Sequence, residues 1–236
     1  MERWVCGYNM NIPKIDAIGF DWDGTLVDSM IDKAKYFADS IIEFYPEVKE
    51  NKKDIEISFL QNGGRLRNIQ LQIIQKMYNI KSLSNDEYEK WSELFTSLYI
   101  DKKLPLFDDT IKVLEKLEKK YKLFLSSSVP HDHLNKTLKL YPITQYFELI
   151  LGTKDNGKFK KGVPHLTYVS KKLGIPLEKI SFIGDGYPDV VGANESGCFS
   201  IGKFDSRIPG SRERLEEKNP KIIIEKLEEL LAYFNG

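Results

Sequence analysis

Cysteine is scarce in this sequence: Cys6 and Cys198 are the only two in 236 residues, and they show neither metal-type nor redox spacing. That argues against a disulfide scaffold or a cysteine-ligated metal, and both thiols are expected to be free. A surplus of charge is missing as well. Thirty-five Lys and Arg balance 35 Asp and Glu with no arginine-rich block, so neither nucleic acid nor a membrane surface is an expected partner. No apolar run is long enough to span a bilayer, and Met1-Glu2-Arg3-Trp4 does not open a secretory signal. The expectation is a soluble cytoplasmic protein, a monomer or homodimer. Core material, in contrast, is ample: 41% hydrophobic residues, with 12 Tyr and 13 Phe, make disorder the wrong default. Residues 1–13 precede the first strand-like run and contain a second methionine, Met10.

The stretch FDWDGTLVDS, residues 20–29, sets Asp21 and Asp23 on either side of a tryptophan, with Asp28 close behind. It follows residues 15–20, an apolar run of strand length. Two carboxylates at the end of a strand that enters the core repel one another and resist desolvation unless a cation or proton donor joins them. Such a cost points to chemistry.

From residue 28 to about 104 the pattern is helical. Ala34, Phe37, Ala38, Ile41 and Ile42 recur at helical spacing, as do Ile69, Ile73, Ile74 and Met77, and residues 88–99 carry Trp91, Leu94, Phe95 and Leu98. Asn62-Gly63-Gly64 breaks the block ahead of Arg65 and Arg67. After Pro105, helix and strand alternate. Asp108 or Asp109 is placed to cap a helix through Ile111, Leu114 and Leu117. Strands are expected at 121–125, ending at Ser126-Ser127-Ser128, and at 147–151, 180–183, 198–201 and 222–224. Helices are expected at 131–141, 164–173, 189–195 and the C-terminal end. This order predicts an α/β fold with a doubly wound parallel sheet, residues 1–27 and 105–236, and an inserted all-helical subdomain, residues 28–104. Ligands of such sheets bind outside the carboxyl ends of the strands. Asp21/Asp23, Ser126 and Asp185 all fall there.

The motif DWDGTLVDS, the serine ending LFLSSS and the later GDGYPD together resemble the haloacid dehalogenase-like hydrolase superfamily. The resemblance runs from Ile15 to the last helix, and the helical block matches a Rossmann-like core whose α-helical cap is inserted between the first and second motifs. It implies a Mg²⁺-dependent phosphatase acting on a small phosphorylated metabolite. Asp21 would be the nucleophile that forms an aspartyl-phosphate, and Asp23 the general acid and then base. Asp21, the backbone carbonyl of Asp23 and Asp185 would hold Mg²⁺, with Asp189 a further ligand or an anchor behind them. Ser126 would donate to a phosphate oxygen, and Ser127 would also touch substrate.

In one place the sequence departs from the family. The lysine that commonly precedes proline after the third strand is replaced at that position by Val163, in KFKKGVPHL. Lys161 is favoured as the phosphate-site cation and Lys160 is the neighbouring candidate. Arg65 is expected to meet a carboxylate or second phosphate on the substrate. His131 and His133 are read as helix-start residues, since nothing nearby adds a third ligand. The alternatives are a phosphomutase on a sugar phosphate and a non-catalytic binding protein on the same fold. Asp23 stands against dehalogenation and phosphonate hydrolysis.

Overall fold

The computed structural model describes residues 12–234. Of residues 1–13, which precede the first strand-like run, most, Cys6 and Met10 included, lie outside that range. The order of elements is β1 (Ala17–Phe20), α1 (Met30–Phe44), α2 (Lys52–Gln61), α3 (Arg67–Tyr78), α4 (Asn85–Ser97), α5 (Thr110–Leu117), β2 (Lys122–Pro130), α6 (His131–Leu138), β3 (Leu149–Thr153), α7 (Val163–Leu173), β4 (Ile180–Gly184), α8 (Tyr187–Ser196), β5 (Phe199–Lys203), α9 (Ser211–Glu216), β6 (Ile222–Ile224) and α10 (Leu230–Phe234). Among the described residues no helix is long and apolar enough to cross a membrane.

The strands form one parallel sheet in the order β3-β2-β1-β4-β5-β6. β1 is central and wholly buried, and its Phe20 pairs with Leu125 on one side and Ile183 on the other. The chain leaves β1 toward β2 and β3, then returns to the opposite flank with β4. That reversal opens a crevice at the carboxyl edge, where β1, β2 and β4 all end. The two faces carry separate cores. Ile18, Phe20, Leu123 and Leu125 pack with α5 and α10, while Ala17, Phe124 and Phe182 pack with α7 and α8 through Leu166, Val169 and Ala193. Cys198, in the second of these cores, is a free thiol that burial pushes up to about 12, which keeps it unreactive.

Helices α1 to α4 build a core of their own around Phe37, Phe59, Trp91 and Phe95. The rings of Phe37 and Phe59 lie 4.9 Å apart, and Trp91 meets Phe37 edge-on at 5.8 Å. The buried indole N–H donates to Ser40 Oγ, which donates in turn to the Phe37 carbonyl. The two ends of this segment leave the sheet side by side: Val27 bridges Leu106, and the Asp28 N–H donates to the Pro105 carbonyl at 2.8 Å.

Several local expectations need correction. The Gly-Gly break separates α3 from α2, whose Ile55, Ile57, Phe59 and Leu60 are not read from the sequence as a helix of their own; α9 escaped because Leu215 is its one apolar residue. The buried face of α3 is Gln70, Leu71, Ile74 and Gln75, and Met77 is half exposed. Buried Gln75 donates to Tyr45 Oη, so polar residues replace some of the expected apolar stripe. Asp109 does stand at the start of α5, yet its carboxylate accepts from the Glu228 N–H and does not cap its own helix. Ser84 and Glu87 form a reciprocal cap at the start of α4.

One close approach positions the site. Gly162 has φ +97, closed to proline and rare for any side chain, and it faces Gly192 in α8. A Cβ at Gly192 would lie 2.6 Å from the Gly162 Cα. Gly192→Ala is therefore expected to push the loop before α7 off α8 and destabilise the protein by about 1–3 kcal/mol, the usual range for overpacking. Thermal unfolding reads this as a melting temperature lower by roughly 2–4 °C per kcal/mol; an unchanged melting temperature would contradict the packing argument.

Candidate active site

Asp21 follows β1 directly, and burial at the sheet edge leaves it only 4% exposed. Its N–H donates to the Ile183 carbonyl at 2.8 Å, which ties it to the end of β4. β4 ends at Gly184, and Asp185 and Gly186 turn the chain into α8, whose Asp189 accepts the Gly186 N–H through Oδ2 at 3.0 Å. The carboxylates of Asp21, Asp185 and Asp189 converge, with one oxygen from each lying within 4.8 Å of the others. Gly24, at φ +73, makes that convergence possible: a side chain there would meet Asp185 Oδ2 at 2.3 Å.

Lys161 enters this group from the loop before α7. Its ammonium lies 2.9 Å from Asp21 Oδ2 and 2.8 Å from Asp189 Oδ1, and its side chain is 8% exposed. Burial alone would lower its pKa, but Asp189 and Asp21 outweigh that and raise it. Lys160, its neighbour, is exposed and outside the cleft, so the structure does not bring it to the acids. Lys161 stands three residues before Pro164, with Gly162 directly after it in place of a proline. The position of Val163, where the family lysine was looked for, is exposed.

Asp23 has a different environment. Ser29 Oγ donates to its Oδ1 at 2.7 Å, and the Lys33 ammonium lies 2.6 Å from its Oδ2. Both partners were missed by sequence reasoning: they sit at the start of α1, where a serine and a lysine look like ordinary helix residues. Lys33 also stacks over the Tyr99 ring at 4.5 Å, and Asp23 outweighs its burial to raise its pKa.

Ser126 is placed otherwise than expected. It is 1% exposed, and its Oγ lies 2.8 Å from His165 Nδ1, between β2 and α7. Burial, reinforced by the Lys161 charge, pushes the His165 imidazole down to about 4, so it is neutral at pH 7. Ser127 lines the cleft instead. Ser128, exposed beyond it, lines the cleft as well, because β2 continues as strand through Pro130 with a shift in its pairing to β3 after Ser126.

The cleft above these residues has a volume of about 890 Å³. The core contributes Asp21, Asp23, Asp185, Ser127 and His133, and the helical segment contributes Lys33, Arg65, Arg67, Tyr88 and Tyr99. His131 is turned away and accepts the Gly152 N–H at 3.3 Å. Arg65 is exposed at the rim. Arg67, not singled out from sequence, is fixed from four sides: its guanidinium donates to Ser92 O and Oγ, Thr96 Oγ1 and Tyr99 Oη, over the Phe95 ring. All four are neutral acceptors.

The acid cluster is short of positive charge. Burial raises the Asp21 pKa well above the carboxylate range despite Lys161, and burial with the charge of Asp189 lifts Asp185 to about 7. Hard oxygen donors packed this way suit Mg²⁺, which would relieve both effects.

A parallel sheet with clustered carboxylates at its switch point, a lysine between them and a helical segment over the top defines a hydrolase of the α/β type. Comparison with known proteins agrees: residues 15–197 match the model of the haloacid dehalogenase-like hydrolase family. The chain is 25% identical over 224 residues to a phosphoglycolate phosphatase of Haemophilus influenzae, covering 91% of this chain and 96% of that protein. It is 24% identical over 220 residues to a pyrophosphatase of Listeria monocytogenes, covering 93% and 96%. A crystal structure of a predicted phosphoglycolate phosphatase from Haemophilus somnus superposes with a TM-score of 0.75 at 22% identity, over 93% of this chain and 98% of that one. The chain belongs to the haloacid dehalogenase-like hydrolase family.

The electrostatics carry a sign that can be checked. Asp185 holds its proton more tightly when folded, so its contribution to stability is complete below the unfolded value of about 4 and is lost as pH rises to about 7. Removing Lys161 deepens this. At about pH 8 the metal-free Lys161→Ala protein is expected to lose about 3–5 kcal/mol of stability, as when one partner of a buried pair is deleted, and less toward about pH 5. Lys160→Ala should stay within about 0.5 kcal/mol of the parent, as for ordinary surface changes. Thermal unfolding at both pH values decides, and equal losses for the two lysines would overturn the assignment.

Proposed function

We propose that this protein is a Mg²⁺-dependent phosphatase that hydrolyses a small phosphate ester through an aspartyl-phosphate. The observation that carries this reading is Asp21, held by the Lys161 ammonium beside Asp185 and Asp189 and facing the cleft. Asp21 attacks phosphorus, and the bond from phosphorus to the leaving oxygen breaks. Asp23, oriented by Ser29 and Lys33, gives that oxygen its proton. In the second half Asp23 takes a proton from water as the water attacks the same phosphorus, releasing phosphate and restoring Asp21. Lys161 offsets phosphate charge throughout, and Ser127, a cleft-lining hydroxyl next to Ser128, would donate to a phosphate oxygen. Mg²⁺, held by Asp21 and Asp185 and by the Asp23 carbonyl, with Asp189 behind or among them, would neutralise charge at the phosphoryl group.

Phosphate release across a panel of sugar phosphates, nucleotides, phosphoglycolate and pyrophosphate tests this. Activity is expected to vanish with a chelator and in Asp21→Asn, and to fall about a hundredfold or more in Asp23→Asn. Release that persists in Asp21→Asn would remove the nucleophile.

The substrate is narrowed by the helical segment. The H. influenzae and L. monocytogenes relatives are named for phosphoglycolate and pyrophosphate chemistry, and both compounds carry a second anion beyond the reacting phosphoryl group. Arg67, whose hydrogen bonds all go to neutral acceptors, and rim-exposed Arg65 would meet such an anion in this protein. Arg65→Ala and Arg67→Lys are each expected to raise KM for an ester with an anionic leaving group by roughly tenfold, the worth of a charged hydrogen bond. A small aryl phosphate should be affected much less. Equal losses on both esters would place these arginines in the folding or closure of the helical segment.

A further inference from the structure

Lys203 closes β5, and the register pairs Gly202 with Gly184, so Lys203 and Asp185 leave neighbouring strands at the same level. The lysine is 1% exposed. Its ammonium donates to the Gly24 carbonyl at 3.2 Å and sits 3.5 Å from the centroid of the Phe107 ring. An ammonium removed from water ordinarily has a carboxylate against it, because its desolvation is otherwise uncompensated. Among the described residues Lys203 forms no such pair, and two acids near it are already engaged. Arg207 binds Asp28 through two hydrogen bonds of 2.7 and 2.8 Å, and Asp205 at 2.6 Å.

Asp109 accepts the Glu228 N–H, which leaves Asp185. Its Oδ2 lies 2.3 Å from where a Cβ on Gly24 would stand, beside the residue whose carbonyl Lys203 holds. Burial lowers the Lys203 pKa, and of the charges that oppose this, Asp185 has the largest effect. The electrostatic design thus includes a cation behind the acids as well as Lys161 among them.

We propose that Lys203 is a positioning residue that serves as a fixed countercharge to Asp185, steadying the metal-free acid cluster and competing with the divalent cation that the cluster takes up. This rests on the reading of Asp21, Asp185 and Asp189 as the Mg²⁺ site. A residue that merely propped the Gly24 turn would, on removal, loosen the acids and weaken Mg²⁺ binding. A competing charge does the reverse: without it the cluster is more negative and Mg²⁺ binds more tightly.

The experiment is calorimetric titration of Mg²⁺ into metal-free protein, for the parent, Lys203→Met and Lys203→Arg. One unit charge acting on a divalent ion several ångströms away through a water-like medium amounts to about a factor of ten, so Lys203→Met is expected to bind Mg²⁺ roughly tenfold more tightly. Lys203→Arg keeps the charge and should stay within about twofold of the parent. Lys203→Gln is a second neutral variant that retains a donor, and the same tightening is expected of it if the methionine variant fails to fold. Unchanged or weaker binding in the neutral variants, with the parent binding Mg²⁺, overturns the role of Lys203 alone. A parent that takes up no Mg²⁺ overturns the metal reading and this inference together.

Discussion

The ammonium of Lys161, lodged between Asp21 and Asp189, is the contact on which the rest of the site depends. Three carboxylates drawn together at the end of a sheet repel each other, and each has given up most of its water. One lysine touching two of them turns that repulsion into a network. For the lysine to arrive there, the chain before α7 must lie almost on the backbone of α8, and only the facing pair Gly162 and Gly192 allows it. For the acids to arrive, Gly24 must leave room for Asp185. Glycines that look incidental in the sequence are therefore conditions of the electrostatics.

What the sequence disclosed was the part written as pattern. The apolar run into Asp21-Trp22-Asp23, the alternation of strands and helices after Pro105, and the acids after β4 follow from periodicity and from where α/β sheets place their ligands. Lys161 could be preferred over Lys160 because successive side chains in an extended loop alternate, and the structure has one inward and the other in solvent. Ser126 is the choice from sequence because it is the first serine after the expected end of its strand. Which of three adjacent serines line the cleft depends on how far β2 continues as strand, and the composition of LSSSVP does not fix that.

The remaining residues were hidden for a common reason. Lys33, Arg67 and Lys203 are single basic residues on helices or strands, and their positions in the chain resemble those of any solvated lysine or arginine. Their significance lies in what surrounds them: Asp23 beside Lys33, neutral acceptors around Arg67, a phenyl ring under Lys203. Those neighbours come from elements up to 179 residues away in the chain, as with Lys203 and Gly24. No local pattern encodes such a meeting.

The helical segment departs from the sheet and returns to it at adjacent points, with Val27 bridged to Leu106 and the Asp28 N–H bonded to Pro105. Two tethers this close define a single axle. Displacement of the segment against the sheet then reduces to rotation about that axle, with both aromatic packing and strand register left intact. Asp23 lies at the axle, bridged to Val27 itself, where such rotation moves atoms least, while Arg65 and Arg67 belong to the segment that would turn. Such a turn would change the width of the cleft and leave the acids beside the pivot where they are.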